Sequence, residues 1–115
     1  MPGSVLSPIS LSVLLALADE PRHGYAIIKQ VEVETGGRVS LEAGTLYAAI
    51  KRLQDEGLIE PDDSRPGRGG DSRRRYYRLT SPGRRVVALE CDRLAAVMDL
   101  ARRKLVWSPA RRGGR

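Results

Sequence analysis

Apolar residues recur at helical spacing in four stretches of the chain, and two short runs between them are extended. Ile9, Val13, Leu14 and Leu17 define the first stretch. Ser7-Pro8 ahead of it reads as an N-cap followed by proline at the first helical position, and Asp19-Glu20-Pro21 is the expected end. His23-Gly24 opens a second helix with Ile27, Ile28 and Val31 on its buried side, and Gly36-Gly37 stops it. After the extended piece Arg38-Val39, Ser40 is the expected cap of a third helix. That helix runs to Glu56 with Leu46, Ile50 and Leu53 turned inward, and Gly57 ends it.

Leu58-Ile59 begins a strand that Pro61 closes, and Tyr76 to Thr80 forms a second strand. In the latter, Tyr77 and Leu79 face one way and Tyr76 and Arg78 the other. Pro66, Gly67, Gly69 and Gly70 mark the intervening segment as a loop. A two-stranded hairpin is unstable alone, so Leu58, Tyr77 and Leu79 are expected to pin it to the helices. Helix, strand, basic loop and returning strand together predict a mainly α fold with a small two-stranded antiparallel β-wing. That is a winged helix-turn-helix, spanning residues 1–80.

Ser81-Pro82 is the expected start of a fourth and longest helix, through about Val106. Its apolar positions Val87, Cys91, Leu94, Met98, Ala101 and Leu105 are spaced 4-3-4-3-4, a heptad seam. In a monomer this seam would stay wet, so residues 81–107 are expected to form a C-terminal dimerisation helix. The competing arrangement packs the stripe on its own domain. Residues 108–115 are expected to be a disordered basic tail.

At 115 residues, one small domain is expected, and with no Phe its core must come from Leu, Val, Ile and Ala. The longest apolar run, Val13 to Ala18, is too short to span a bilayer, and no secretory signal is expected. Cys91 is the single cysteine, which excludes an internal disulfide and fits a reducing, cytoplasmic location. The net charge of +6 is unevenly spread. Residues 1–64 carry 5 basic and 10 acidic side chains (−5), and residues 65–115 carry 15 and 4 (+11). Such asymmetry suggests a polyanionic partner for the second half.

The third helix supplies the candidate reader. With its apolar residues inward, Gly44, Ala48, Lys51 and Asp55 point outward, flanked by Thr45 and Arg52 on one shoulder and Tyr47 on the other. Small outer residues let a helix enter a major groove about 12 Å wide. Lys51 and Arg52 reach phosphates or guanine edges, and the Tyr47 hydroxyl suits a phosphate. Tyr25 and Lys29 on the second helix, with Arg65, Arg68, Arg73, Arg74 and Arg75 in or beside the wing loop, complete the candidate DNA-contacting set.

At this point the chain resembles the short type of PadR-family transcriptional regulator, with a single C-terminal helix. The matching pieces are His23-Gly24-Tyr25, Gly44-Thr45-Leu46-Tyr47, Leu53 with Gly57-Leu58-Ile59, Tyr77-Arg78-Leu79-Thr80 and Gly83. The resemblance implies a dimeric winged-helix repressor of double-stranded, pseudopalindromic DNA, with Tyr47 and the third-helix cations contacting DNA and Tyr77 bracing the wing. It also implies that a small hydrophobic effector is sensed at the dimer interface; Trp107, just beyond the fourth helix, is the candidate to line a cavity there, the alternative being a packing plug. Ala48 departs from the proline that often follows the tyrosine in this family.

Nothing points to an enzyme. The sequence has no nucleophile–base pair, no phosphate-cradling glycine loop before a helix and no paired carboxylates on one apolar face. No cofactor is expected. His23 is the one histidine, and a metal site would need Cys91 from a distant element. The alternative function is a winged-helix protein-interaction module that does not touch DNA.

Overall fold

The computed structural model describes residues 6–64 and 75–110. Helix α1 spans Pro8–Ala16, with the Ser7 hydroxyl accepting a 3.1 Å hydrogen bond from the Ser10 amide. It stops at Ala16, ahead of the expected Asp19, and two arginines satisfy carbonyls at and just beyond its end. Arg22 Nε donates to the Ala16 carbonyl at 2.8 Å and Arg84 Nη2 to the Ala18 carbonyl at 3.0 Å. Cations at a helix C-terminus also oppose the negative end of its dipole.

Strand β1 (Arg22–His23) leads directly into helix α2 (Gly24–Glu34), where His23 Nδ1 accepts from the Ala26 amide at 3.2 Å. Helix α3 spans Ala43–Asp55. Its N-cap is Glu42, without a side-chain capping bond, and not Ser40. Leu41 is buried in the core, which holds the chain extended past Ser40 before the helix can begin. Gly57 (φ +78°) ends α3 with the left-handed turn that glycine adopts without steric cost. Its amide and that of Leu58 then bond back to the Gln54 and Leu53 carbonyls.

Strands β2 (Ile59–Pro61) and β3 (Tyr76–Leu79) pair antiparallel in the register Ile59↔Leu79, Glu60↔Arg78 and Pro61↔Tyr77. The sheet has three strands rather than two, in the order β1-β3-β2, with Arg22 opposite Tyr77 and His23 opposite Tyr76. Two residues offer no alternation to read, so β1 is invisible in the sequence pattern. Pro61 is tolerated because β2 is an edge strand.

Helix α4 spans Ser81–Arg103, and its cap is Thr80 rather than Ser81. The Thr80 hydroxyl accepts from the Gly83 amide at 3.0 Å and donates to the Gly57 carbonyl at 2.7 Å, tying the start of α4 to the end of α3. The helix ends short of Val106. Leu105 takes a left-handed φ of 64°, so the last expected seam position lies beyond the helix.

Val13, Leu14, Leu17, Ile27, Val31, Leu46, Ile50, Leu53 and Ile59 form the core, with Leu58, Tyr77 and Leu79 buried over it. The wing is therefore anchored by the three residues expected to do so. Val86 and Val87 in the first half of α4 pack on the same core. Farther along, Glu90 is the last buried residue, and Arg93 Nη2 donates to its carboxylate at 2.7 Å. The Leu6 backbone also bonds to Glu90, which ties α4 to the chain just ahead of α1. Beyond that point Val97, Met98 and Leu100 are about half exposed. Among the described residues no helix is long and apolar enough to cross a membrane.

Candidate nucleic-acid interface

The inner side of α3 is packed tight, with Leu46, Ala49, Ile50 and Leu53 all at 2 % exposure or less. This fixes the opposite side as a rigid outward surface, on which Gly44, Thr45, Tyr47, Ala48, Lys51 and Arg52 are exposed. The burial agrees with the helical wheel read from the sequence, and Ala49 joins the inward set.

Tyr47 sets the relation between α2 and α3. A Cβ on Gly24 would collide with the Tyr47 hydroxyl and stand 2.9 Å from its ring carbon Cζ. Glycine at the first position of α2 therefore lets the phenol lie across the helix start. That is the physical content of the His23-Gly24-Tyr25 triplet. Tyr25 itself is 65 % exposed on the outside of α2, with Lys29 Nζ 5.8 Å from its ring centroid.

The cations of α3 differ in their commitments. Lys51 Nζ lies 3.5 Å from Asp55 in a fully solvated i,i+4 pair, which holds it weakly. Arg52 Nη2 donates to the Ser10 hydroxyl of α1 at 3.0 Å. Between the start of α1 and the outer side of α3 lies an open groove of about 420 Å³, lined by Ser7, Ile9, Gly44, Thr45, Ala48, Ala49 and Arg52. Apart from Arg52 its lining is small or uncharged.

In the wing, Arg78 is engaged across the strands with Glu60 at 2.7 Å and Asp62 at 3.5 Å, so it is not a spare cation. Tyr77 is buried beneath, and that burial raises its phenol above the ordinary value, opposed in part by the positive charge of Arg75. Tyr76 meets His23 edge-to-face with ring centroids 5.2 Å apart. Arg75 is exposed beside β3. The expected contacts Arg65, Arg68, Arg73 and Arg74 lie outside the described residues.

On α4, Val87 touches its own core, Leu94 and Ala101 are half-buried, and Cys91, Met98 and Leu105 are exposed. The seam is thus divided: its beginning serves the protomer itself, and its middle is left uncovered by the described residues. Val97 and Leu100 broaden the uncovered stripe beyond the heptad positions. Trp107 is 38 % exposed, with the Arg102 guanidinium 5.9 Å from its ring.

Sequence reasoning missed Ser10, Arg22, Thr80 and Arg84, whose roles all depend on partners distant in the chain. Among the described residues no three His, Cys, Asp or Glu side chains are grouped to hold a metal ion.

This arrangement of three helices, a three-stranded wing and a trailing helix has known counterparts. The transcriptional regulator PadR-like family matches residues 13–89. The chain belongs to that family. Its members are transcriptional regulators, not enzymes. A PadR family transcriptional regulator from Eggerthella lenta is 30 % identical, with a TM-score of 0.68 over 87 % of this chain and 83 % of that one. The 37.1 kDa protein of transposon TN4556 from Streptomyces fradiae is 39 % identical over 72 % of this chain, and protein X from Lysinibacillus sphaericus is 32 % identical over 63 %. The chain spans 22 % and 64 % of the length of these two relatives. The family match stops at residue 89, so the uncovered half of α4 lies beyond it.

Proposed function

We propose that this protein is a sequence-specific, DNA-binding transcriptional repressor that acts as a homodimer and is released by a small-molecule or other signal. The observation that carries the DNA reading is the outer surface of α3. Small residues at Gly44 and Ala48 are flanked by Thr45, Tyr47 and Lys51, all exposed on a helix whose other side is locked into the core. A helix shaped this way enters a major groove, and the adjacent wing then lies over the flanking backbone. Family membership supports the regulatory role. In this scheme residues 1–80 read DNA and residues 81–107 pair the protomers.

The half-exposed Val97, Met98 and Leu100 support pairing through α4. Burying the exposed half of each contributes about 1 kcal/mol per side chain. A twofold pair would offer its two α3 helices to half-sites about 34–36 Å apart. Trp107, next to the Arg102 guanidinium at the end of α4, is the side chain best placed to sense an effector. A protein-interaction module would instead show an apolar outer surface on α3, against which the exposed Lys51 argues.

A gel shift with the gene's own upstream DNA and a scrambled duplex, at two salt concentrations, tests the reading. Retention of the native duplex alone at the higher salt is the expected result. Absence of any shift, even at low salt, would refute it. Derepression of a reporter in a strain lacking the protein tests the sign of regulation.

A further inference from the structure

Ser10 stands at a position of α1 where the helical repeat would place an apolar residue, and it is 4 % exposed. A buried hydroxyl needs a hydrogen-bond partner, and Arg52 provides one from the far side of the groove described above. The pair crosses from α1 to α3 at 3.0 Å. One of the five guanidinium donors is used in this bond, and the others remain on an exposed residue that lines the groove. Among the described residues Arg52 has no carboxylate partner, unlike Lys51, Arg78 and Arg93.

We infer that one sugar-phosphate strand of the bound duplex runs along this groove, and that Ser10 is a positioning residue holding the Arg52 guanidinium ready for a phosphate. The inference rests on the DNA reading above. Three features favour this occupant. The groove adjoins the outer side of α3, so a strand bordering the major groove would pass through it. Its floor of Gly44, Ala48 and Ala49 leaves room for a backbone ridge. Its charged wall is an arginine, whose planar fork meets a phosphate with two parallel hydrogen bonds while a third donor stays on Ser10. The Thr45 hydroxyl adds a neutral donor beside it. Without Ser10 the arginine would have to surrender its rotamer freedom on binding, which weakens the contact but leaves its charge.

Fluorescence anisotropy with the native upstream duplex, across a salt series, separates these roles in the full chain. Arg52→Gln removes the charge. It should reduce the slope of log affinity against log salt by about 0.9 per half-site, so that a fourfold rise in salt costs about 3.5-fold less affinity per half-site than in the parent. Arg52→Lys should preserve the slope. Ser10→Ala should also preserve it while binding several-fold more weakly. An unchanged slope in Arg52→Gln overturns the groove assignment, and unchanged affinity in Ser10→Ala overturns the positioning role. If Arg52→Gln fails to fold, Arg52→Met, which keeps a long side chain without the charge, takes its place in the slope test, and Ser10→Ala still decides the positioning role. Should the parent protein bind no duplex at any salt, the DNA reading falls and this inference with it; binding by the parent with no effect of either variant removes the groove and the positioning role and leaves the DNA reading standing.

Discussion

The same substitution, glycine to alanine, should have opposite effects at Gly83 and Gly44. Gly83 lies in the first turn of α4, pressed against Leu58 just ahead of β2 and Leu79 of β3. An added Cβ there would overlap the Leu58 carbonyl oxygen and sit 2.7 Å from Leu79 Cδ1. The carbonyl cannot turn aside, because it accepts the Thr80 amide at 3.1 Å. Nor can α4 slide outward freely, since the Thr80 hydroxyl links it to the Gly57 carbonyl. Overpacking of this kind costs about 1–3 kcal/mol, and alanine's helix propensity returns no more than about 1 kcal/mol. Because the overlap is with a fixed backbone carbonyl, the cost lies at the upper end, and Gly83→Ala should lose about 2 kcal/mol net, at about 4–8 °C in Tm for each kcal/mol. At Gly44 nothing lies within 4 Å of the new methyl, so only the propensity term remains and Gly44→Ala should gain up to about 1 kcal/mol. Urea denaturation of the three proteins, compared at constant m, reads both signs at once. A Gly83→Ala variant as stable as its parent would show that α4 does not dock on Leu58 and Leu79 as closely as described.

Four further outcomes follow from the site. Replacing Arg73, Arg74 and Arg75 together with Ala should lower the salt slope of DNA binding by about 0.9 for each phosphate no longer neutralised, and an identical slope removes the wing from the interface. Gly24→Ala should displace the exposed Tyr47 phenol, lowering DNA affinity while costing under about 1 kcal/mol of stability, because a side-chain tip can move where a backbone cannot; a melt unchanged together with full affinity contradicts a role for Tyr47. If the protomers pair through α4 as proposed, Met98→Glu should sediment as a monomer where the parent sediments as a dimer, and a variant that sediments like a dimeric parent removes Met98 from the pairing surface. The Arg93 hydrogen bond holds the Glu90 carboxyl below its ordinary range, against the opposing effect of burial. Its contribution to stability is therefore fully present above the unfolded value and is lost as pH falls below that value and through the lower folded one. Glu90→Gln should flatten that part of the stability profile, and an equally steep loss in the variant rules Glu90 out as its source.

The four helices, the wing and the inward set Leu46, Ile50 and Leu53 were legible in the sequence because each follows from local rules. Helical period marks buried faces, glycine marks the turns at Gly36 and Gly57, and alternation marks Tyr76 to Leu79. The outward identity of Gly44, Ala48 and Lys51 comes from the same period, so the candidate reading surface needs no distant partner to define it. Bonds between elements far apart in the chain were settled only in the folded arrangement. β1 exists only because β3 pairs with it, and Thr80 caps α4 because its hydroxyl also reaches Gly57. Arg22 and Arg84 close α1, and Arg52 is drawn to Ser10 from 42 positions away. The seam of α4 is divided between core and solvent by the size of the domain it leaves. Periodicity depends on neighbours within a turn or two, whereas a side chain's partner depends on how the finished surfaces meet, and no local pattern encodes that.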